Sequence, residues 1–134
     1  MPALFSEEWL AEFGKAWNAD PDLGDALAKI NFNSVIGYGF QGEDKPRGFI
    51  KVENGHVSES GAYDGRELSW DLRASEANWE KWCKKGLGMM GLGMAYTTRK
   101  LVFQVGDYTA MIKNPAMAGP FIKSFTVMGS IPRG

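Results

Sequence analysis

Gly86-Leu-Gly-Met-Met-Gly-Leu-Gly-Met-Ala-Tyr-Thr-Thr98 carries no charge and alternates glycine with Leu and Met through most of its length. Each glycine costs a helix interior about 0.5–1 kcal/mol relative to Ala, so a stable buried helix is not expected here. Methionine is flexible and polarizable and moulds itself to irregular apolar shapes. The stretch therefore reads as an adaptable apolar wall, or equally as a loose helical turn that closes a core. Trp79 and Trp82 precede it, and the strand-like Leu101-Val-Phe-Gln-Val105 follows. What this wall packs against must come from the rest of the chain.

Its 134 residues fit one domain spanning 1–134, and 44% hydrophobic with 13% aromatic content is enough to build a sizeable core. The net charge is −1 and the cations are dispersed without a basic stripe, so no nucleic-acid partner is expected. Cys83 is the single cysteine, which rules out a disulfide framework within one chain and suits a reducing compartment. The start, Met1-Pro-Ala-Leu-Phe-Ser-Glu-Glu8, is acidic and lacks the basic and apolar regions of a signal peptide. No uncharged run approaches the roughly 18–20 residues of a membrane span. Ser130-Ile-Pro-Arg-Gly134 carries no receptor-read address. A cytoplasmic protein is expected.

Ser6 with Glu7 and Glu8 opens a helix over about 6–18, whose face is Trp9, Leu10, Phe13, Ala16 and Trp17. Phe5 is placed to staple onto Leu10. Asp20-Pro21 restarts the pattern, and Leu23, Ala26, Leu27 and Ile30 form the stripe of a second helix that Gly24 weakens. From Phe32 the period becomes that of strands. Val35–Phe40, Gly48–Val52, His56–Tyr63 and Glu67–Arg73 are separated by short polar turns, with Asn54-Gly55 a strong hairpin signal. They predict a four-stranded antiparallel meander with Leu68, Trp70 and Leu72 on one face and Asp71 solvated on the other. Ser75 caps a third helix that carries Trp79, Trp82 and Cys83 and stops at Gly86. Arg99–Asp107 holds a fifth strand, and Pro115 with Gly119-Pro120 divides Tyr108–Phe125 into two short helical pieces. The order of elements is α+β in one domain.

Chemistry-bearing motifs do not survive their context. Gly37-Tyr-Gly39-Phe-Gln-Gly42 and Gly86-Leu-Gly88-Met-Met-Gly91 both match G-x-G-x-x-G. The first has no helix after it and the second has no strand before it, as pyrophosphate binding requires. His56 and Cys83 are single and distant, so neither a metal site nor a nucleophile–base pair is expected. Asp107 ends a strand and is placed to cap the next helix. Asp71 or Asp107 acting on a bound lipid is the remaining enzymatic reading, and no catalytic constellation supports it. No cofactor is expected.

Apolar surplus is left over. Trp79 and Trp82, then Leu87, Met89, Met90, Leu92 and Met94, then Val102, Phe103 and Val105, then the tail from Met111 to Phe125 follow one another in the chain. They are the material of an apolar ligand site or, equally, of the core itself.

The order of elements, Trp9 with Asn18-Ala-Asp-Pro21, the Glu53-Asn-Gly55 hairpin, Leu68-Ser-Trp-Asp-Leu72, and Arg99-Lys-Leu-Val-Phe-Gln-Val-Gly-Asp107 resemble the sterol carrier protein family of small lipid-transfer domains. Arg99 stands where that family's strand motif usually begins with glycine. The resemblance implies a five-stranded, largely antiparallel sheet with helices covering one face. It also implies a hydrophobic tunnel that takes fatty acyl chains, acyl-CoA or sterols without catalysis. Carried onto matching positions, the tunnel residues are those of Leu87–Met94, Phe103, Met111, Met117, Phe121 and Phe125. The expected partner is an apolar, lipid-like or steroid-like small molecule. The alternative is an accessory protein that presents hydrophobic substrate to a partner enzyme or docks on it, the apolar surface then being an interface.

Overall fold

The computed structural model describes residues 3–131, so the readings that fall on residues 1–2 and 132–134 lie outside the described residues. Helix α1 (Glu7–Ala19) starts as its sequence dictates, with the Ser6 hydroxyl accepting from the Trp9 N–H at 3.2 Å. Trp9, Leu10, Phe13 and Trp17 are buried along one side. Phe5, at φ 64°, turns its ring edge-on to Trp9 at 5.4 Å.

Asp20 caps the next segment by accepting from the Asp22 N–H at 2.9 Å. The expected second helix is instead a single π turn, Pro21–Asp25, running into the short α2 (Ala26–Ala28). The reason is crowding. The His56 ring and the Trp17 carbonyl lie against Gly24, and the β-hairpin tip at Gly55 abuts Ala28. Leu23 and Leu27 still reach the core, so the stripe survives although the regular helix does not.

The sheet contains β1 (Ser34–Phe40), β2 (Gly48–Glu53), β3 (His56–Ala62), β4 (Trp70–Ala74) and β5 (Val102–Val105), in the order β3-β2-β1-β4-β5. Only the first three strands form the expected meander. β4 pairs with β1, in parallel, with Ile36 opposite Trp70 and Tyr38 opposite Leu72. β5 returns antiparallel to β4. The sheet is therefore largely antiparallel with one parallel pair, in an α+β fold.

Glycine explains how β4 gets there. Gly37 and Gly39 of β1 offer no side chains on the outer face, where Leu68 and Pro46 press within about van der Waals distance of the space a Cβ would fill. The loops 41–47 and 63–69 thus lie directly on the sheet, and the second carries the chain past β2 and β1 without a helix. Those loops also correct the reading of Asp71. It does alternate away from Leu72, but that face is covered, and Asp71 is 6% exposed beside Arg73 at 3%. Arg73 Nε donates to Asp71 Oδ1 at 2.6 Å and Nη2 donates to Oδ2 at 3.0 Å; Nη1 reaches the Glu43 carbonyl at 2.7 Å.

The inner face, with Ile36, Tyr38, Ile50, Val52 and Leu72, is covered by helices. α3 (Glu76–Lys85) is capped by Ser75 and anchored by the Trp79 indole N–H, which donates to the Gly39 carbonyl at 2.8 Å. Of the two readings of Gly86–Thr98, the helical one describes the structure, although the helix is longer than a single loose turn. After Gly86 closes α3 at φ 74°, Met89–Thr97 forms α4. Burial of Leu92 and Ala95 outweighs the weak helix propensity. α5 (Tyr108–Ile112) is capped by Asp107, as expected. α6 (Pro115–Gly129) starts at the Asn114 cap and runs through Pro120 instead of breaking there. Pro120 is buried, so packing holds the helix together despite the missing N–H.

Edge strand β3 is tied to α1 by one side chain. Asn18 Nδ2 donates to the Val57 carbonyl at 3.0 Å and Oδ1 accepts from the Val57 N–H at 2.7 Å. This satisfies both backbone groups of one residue on an otherwise unpaired edge. Asn18→Ala is expected to lower stability by about 1–2 kcal/mol through the loss of two hydrogen bonds. Urea unfolding checks this, and a change below about 0.3 kcal/mol would show that water replaces the amide without cost.

Candidate functional site

Between the inner sheet face and the tail lies a cavity of about 30 Å³, lined by Trp17, Leu27, Phe32, Ile36, Trp70, Leu72, Met111, Met117 and Phe121. Each wall has a separate origin. α1 supplies Trp17, whose indole N–H is satisfied by the Gly55 carbonyl at 2.9 Å and so offers its hydrocarbon face to the cavity. The parallel β1–β4 pair aligns Ile36 with Trp70, and Trp70 in turn donates to the Ser34 hydroxyl at 3.2 Å. α5 and α6 close the top with Met111, Met117 and Phe121.

No charged side chain lines this space. The cavity as it stands holds about two water molecules, at roughly 10–15 Å³ each. Ligand sites for drug-sized molecules run to about 300–1,000 Å³, so an apolar guest of that size needs its walls to part. Outside, along α2 and α6, runs an open groove of about 600 Å³ whose apolar floor of Ala26, Ile30, Pro115, Ala116, Gly119 and Pro120 is flanked by Asp22, Lys29 and Lys123. Lys123 Nζ of α6 pairs with Asp20 Oδ2, at the end of α1, at 3.6 Å.

α6 has two unequal halves. Beyond Pro120, Phe125 stacks on Trp79 at 6.1 Å and meets Trp82 at 6.0 Å, and Val127 and Met128 are buried. Before Pro120, Pro115, Ala116 and Gly119 are exposed, Met117 is half-buried over the cavity and Ala118 is buried. Pro120 removes the hydrogen bond to the Ala116 carbonyl that would join the halves.

A crystal structure of sterol carrier protein 2 superposes with a TM-score of 0.76 at 16% identity, over 96% of this chain and 99% of that one. The fold is that of sterol carrier protein 2. A solution structure of a conserved hypothetical protein from Thermus thermophilus, described as possibly a sterol carrier protein, matches with a TM-score of 0.72 at 15% identity, over 100% of this chain and 93% of that one. A ubiquinone synthesis protein, UbiJ-SCP2, matches with a TM-score of 0.58 at 12% identity, over 91% and 88%. No protein-family model and no curated protein sequence matches the chain.

Within this sterol-carrier fold the residues singled out from the sequence fall into five places. Met111, Met117 and Phe121 line the cavity. Phe103 sits beside it, 6.0 Å from both Trp70 and Phe121. Trp79, Trp82, Phe125 and Leu92 are buried in the adjoining core, with Trp79 and Trp82 rings 5.5 Å apart. Leu87 and Met94 line a second groove between α3 and α4, shared with Trp82, while Met89 and Met90 are 50% and 90% exposed. The cavity-lining Trp17, Leu27, Phe32, Ile36, Trp70 and Leu72 are not among the sequence candidates. Their signals exist separately, as the inward stripe of α1 and the Trp70/Leu72 alternation, but the juxtaposition is a product of the parallel β1–β4 pair.

Tyr108 stacks on Tyr96 at 3.9 Å and packs against Phe103 at 5.4 Å. Burial, and secondarily the Tyr96 hydroxyl, push the Tyr108 phenol above its ordinary pKa. Asp107 is occupied as a helix cap, and Asp71 lies behind the sheet, on the face away from Leu72 and the cavity. Among the described residues, no three His, Cys, Asp or Glu side chains come together as a metal site.

Proposed function

We propose that this chain binds an apolar small molecule, with a fatty acyl chain or sterol-like body, between its sheet and its tail, and releases it without chemical change. The observation that carries the reading is the cavity itself: side chains from α1, α2, β1, β4, α5 and α6, together with Phe32, converge there with no charged group among them. Binding energy would come from apolar surface removed from water, at about 25 cal/mol per Å². Met111 and Met117 would adapt to different guests, trading selectivity for breadth. The first half of α6, with α5, would act as the gate, turning about Pro120 while Phe125 stays seated on Trp79. No cofactor enters this reading. Among the described residues no helix is long and apolar enough to cross a membrane.

Native mass spectrometry of the purified protein, followed by solvent extraction and lipid analysis, tests the binding. A co-purified apolar molecule near one per chain is expected, and added fatty acid is expected to change the emission of Trp17 and Trp70. A bare apo mass with unchanged fluorescence across fatty acids, acyl-CoA and sterols would overturn the reading. The gate has its own check. Ligand addition is expected to slow proteolytic cleavage across residues 108–128, and equal cleavage with and without ligand would remove the gating role.

A second reading, in which the chain presents a hydrophobic substrate to an enzyme, draws on one observation: a protein of this fold is named for ubiquinone synthesis. Capture of a specific enzyme by apo protein, with no extractable lipid, would favour it.

A further inference from the structure

Between Lys81 and Gly106 the sequence contains Lys81, Lys84, Lys85, Arg99 and Lys100 and no acidic residue, in a chain whose net charge is −1. The fold gathers this run at one corner, where α3 meets α4 and β5 leaves. All five cations are exposed, and among the described residues none of them forms an ion pair. Three of them, Lys81, Lys85 and Lys100, rim a groove of about 360 Å³ whose apolar lining includes Trp82, Leu87 and Met94. The Thr98 hydroxyl in the same groove already donates to the Met94 carbonyl at 2.7 Å, so the groove's remaining side-chain donors are the Asn78 amide and the ammonium groups.

The same corner also carries the most exposed large apolar side chains of the described residues. Met90 is 90%, Met94 68% and Met89 50% exposed, on a helix whose interior glycines, Gly91 and Gly93, leave them standing clear. Leu92 and Ala95, with Tyr96 stacked on Tyr108, seat α4, and the three methionines take no part in that core.

We infer that the α3–α4 corner docks the protein on an anionic lipid bilayer, with Met89, Met90 and Met94 entering the headgroup–acyl boundary and the lysines meeting the phosphates. The charge pattern decides between occupants. Protein–protein interface cores are depleted in lysine, whereas a cationic rim around protruding, unbranched apolar side chains matches an anionic membrane surface. Lysine is a flexible point charge that suits headgroups in no fixed orientation. This surface is distinct from the cavity and does not depend on what the cavity holds.

Vesicle flotation of the full chain tests it, using phosphatidylcholine vesicles and phosphatidylcholine–phosphatidylglycerol vesicles. The expected result is binding to the anionic vesicles at least about tenfold above the neutral ones, weakening as salt is raised. Lys81→Gln with Lys85→Gln and Lys100→Gln is expected to lower partition by about a hundredfold, each surface charge contributing about fivefold. Met90→Ser with Met94→Ser is expected to lower it by at least about tenfold, and being exposed these changes leave the circular dichroism spectrum intact. Met117→Trp, inside the cavity, is expected to leave docking unchanged, which separates this inference from the ligand reading. Equal binding to both vesicle types, no binding, or binding indifferent to both sets of substitutions would overturn it. So would concentration-dependent dimerisation through Met90 in ultracentrifugation without vesicle association, which would assign the face to a second copy of the chain.

Discussion

Asp71→Ala is expected to lower the unfolding free energy by about 3–5 kcal/mol in a urea titration, a large fraction of the roughly 5–15 kcal/mol available to a domain of this size. The argument starts from burial. Arg73 is 3% exposed, and its guanidinium is held by both carboxylate oxygens of Asp71 and by the Glu43 carbonyl. Removing the carboxylate leaves a cation in a low-dielectric layer between sheet and loops, with one neutral acceptor and, as nearby anion, the Glu43 carboxylate already paired with Arg47. Its alternatives are to stay there poorly compensated or to pull Arg73 into solvent, which tears loop 41–47 off Gly39. Either route is expensive. Asp71→Asn keeps one acceptor oxygen and is expected to fall between wild type and Ala. The decisive comparison is the double substitution Asp71→Leu with Arg73→Met. It removes both charges and keeps apolar volume, and is expected to recover most of the loss, since buried ion pairs seldom outperform well-packed apolar replacements. If Asp71→Ala costs less than about 1 kcal/mol, the pair is hydrated in solution and the two loops do not seal the outer face.

That pair also shows where the sequence stops being legible. Alternation correctly separates Asp71 from Leu72, but whether the outer face is wet depends on the loops, and their docking depends on the absence of side chains at Gly37 and Gly39. Five strands, the caps at Ser6, Ser75 and Asp107, and the hairpin at Asn54-Gly55 are readable because each is a local signal. The parallel placement of β4 is not, because short polar turns look alike whether the next strand folds back or crosses the sheet. Intrinsic propensity hides the helix at Met89–Thr97, since burial of Leu92 and Ala95 overrides it. Pro120 looks like a break for the same reason. As for the cavity, its tail wall of Met111, Met117 and Phe121 stands out as apolar surplus, whereas Trp17, Leu27 and Ile36 are indistinguishable from ordinary core. A ligand wall and a core wall have the same composition. Only the volume left between them differs, and volume is a tertiary property.

Met117→Trp is the substitution that uses this difference. Met117 is half-buried and lines the cavity from the first half of α6, as the Ile36–Trp70 pair lines it from the sheet. An indole at that position fills the space and overpacks it, at an expected cost of about 1–3 kcal/mol in stability that outward movement of the α5–α6 corner partly relieves. Its effect on binding is larger in relative terms. If the indole denies a fatty acyl guest roughly 100 Å² of burial, at about 25 cal/mol per Å², affinity falls by about 2.5 kcal/mol, close to seventyfold. Isothermal titration with a fatty acid reads this directly. The reciprocal change, Phe121→Ala, is expected to destabilise the apo protein by about 3 kcal/mol while favouring bulkier, sterol-like guests over straight chains, because the lost ring is replaced by ligand. Opposite shifts in the two variants locate the guest between sheet and tail. Unchanged affinity in both, with the fold intact, would place any bound lipid elsewhere, and the groove between α3 and α4 would then be the site to test next. The two outcomes differ in which tryptophan reports binding: Trp17 and Trp70 line the cavity, whereas Trp82 lines the groove.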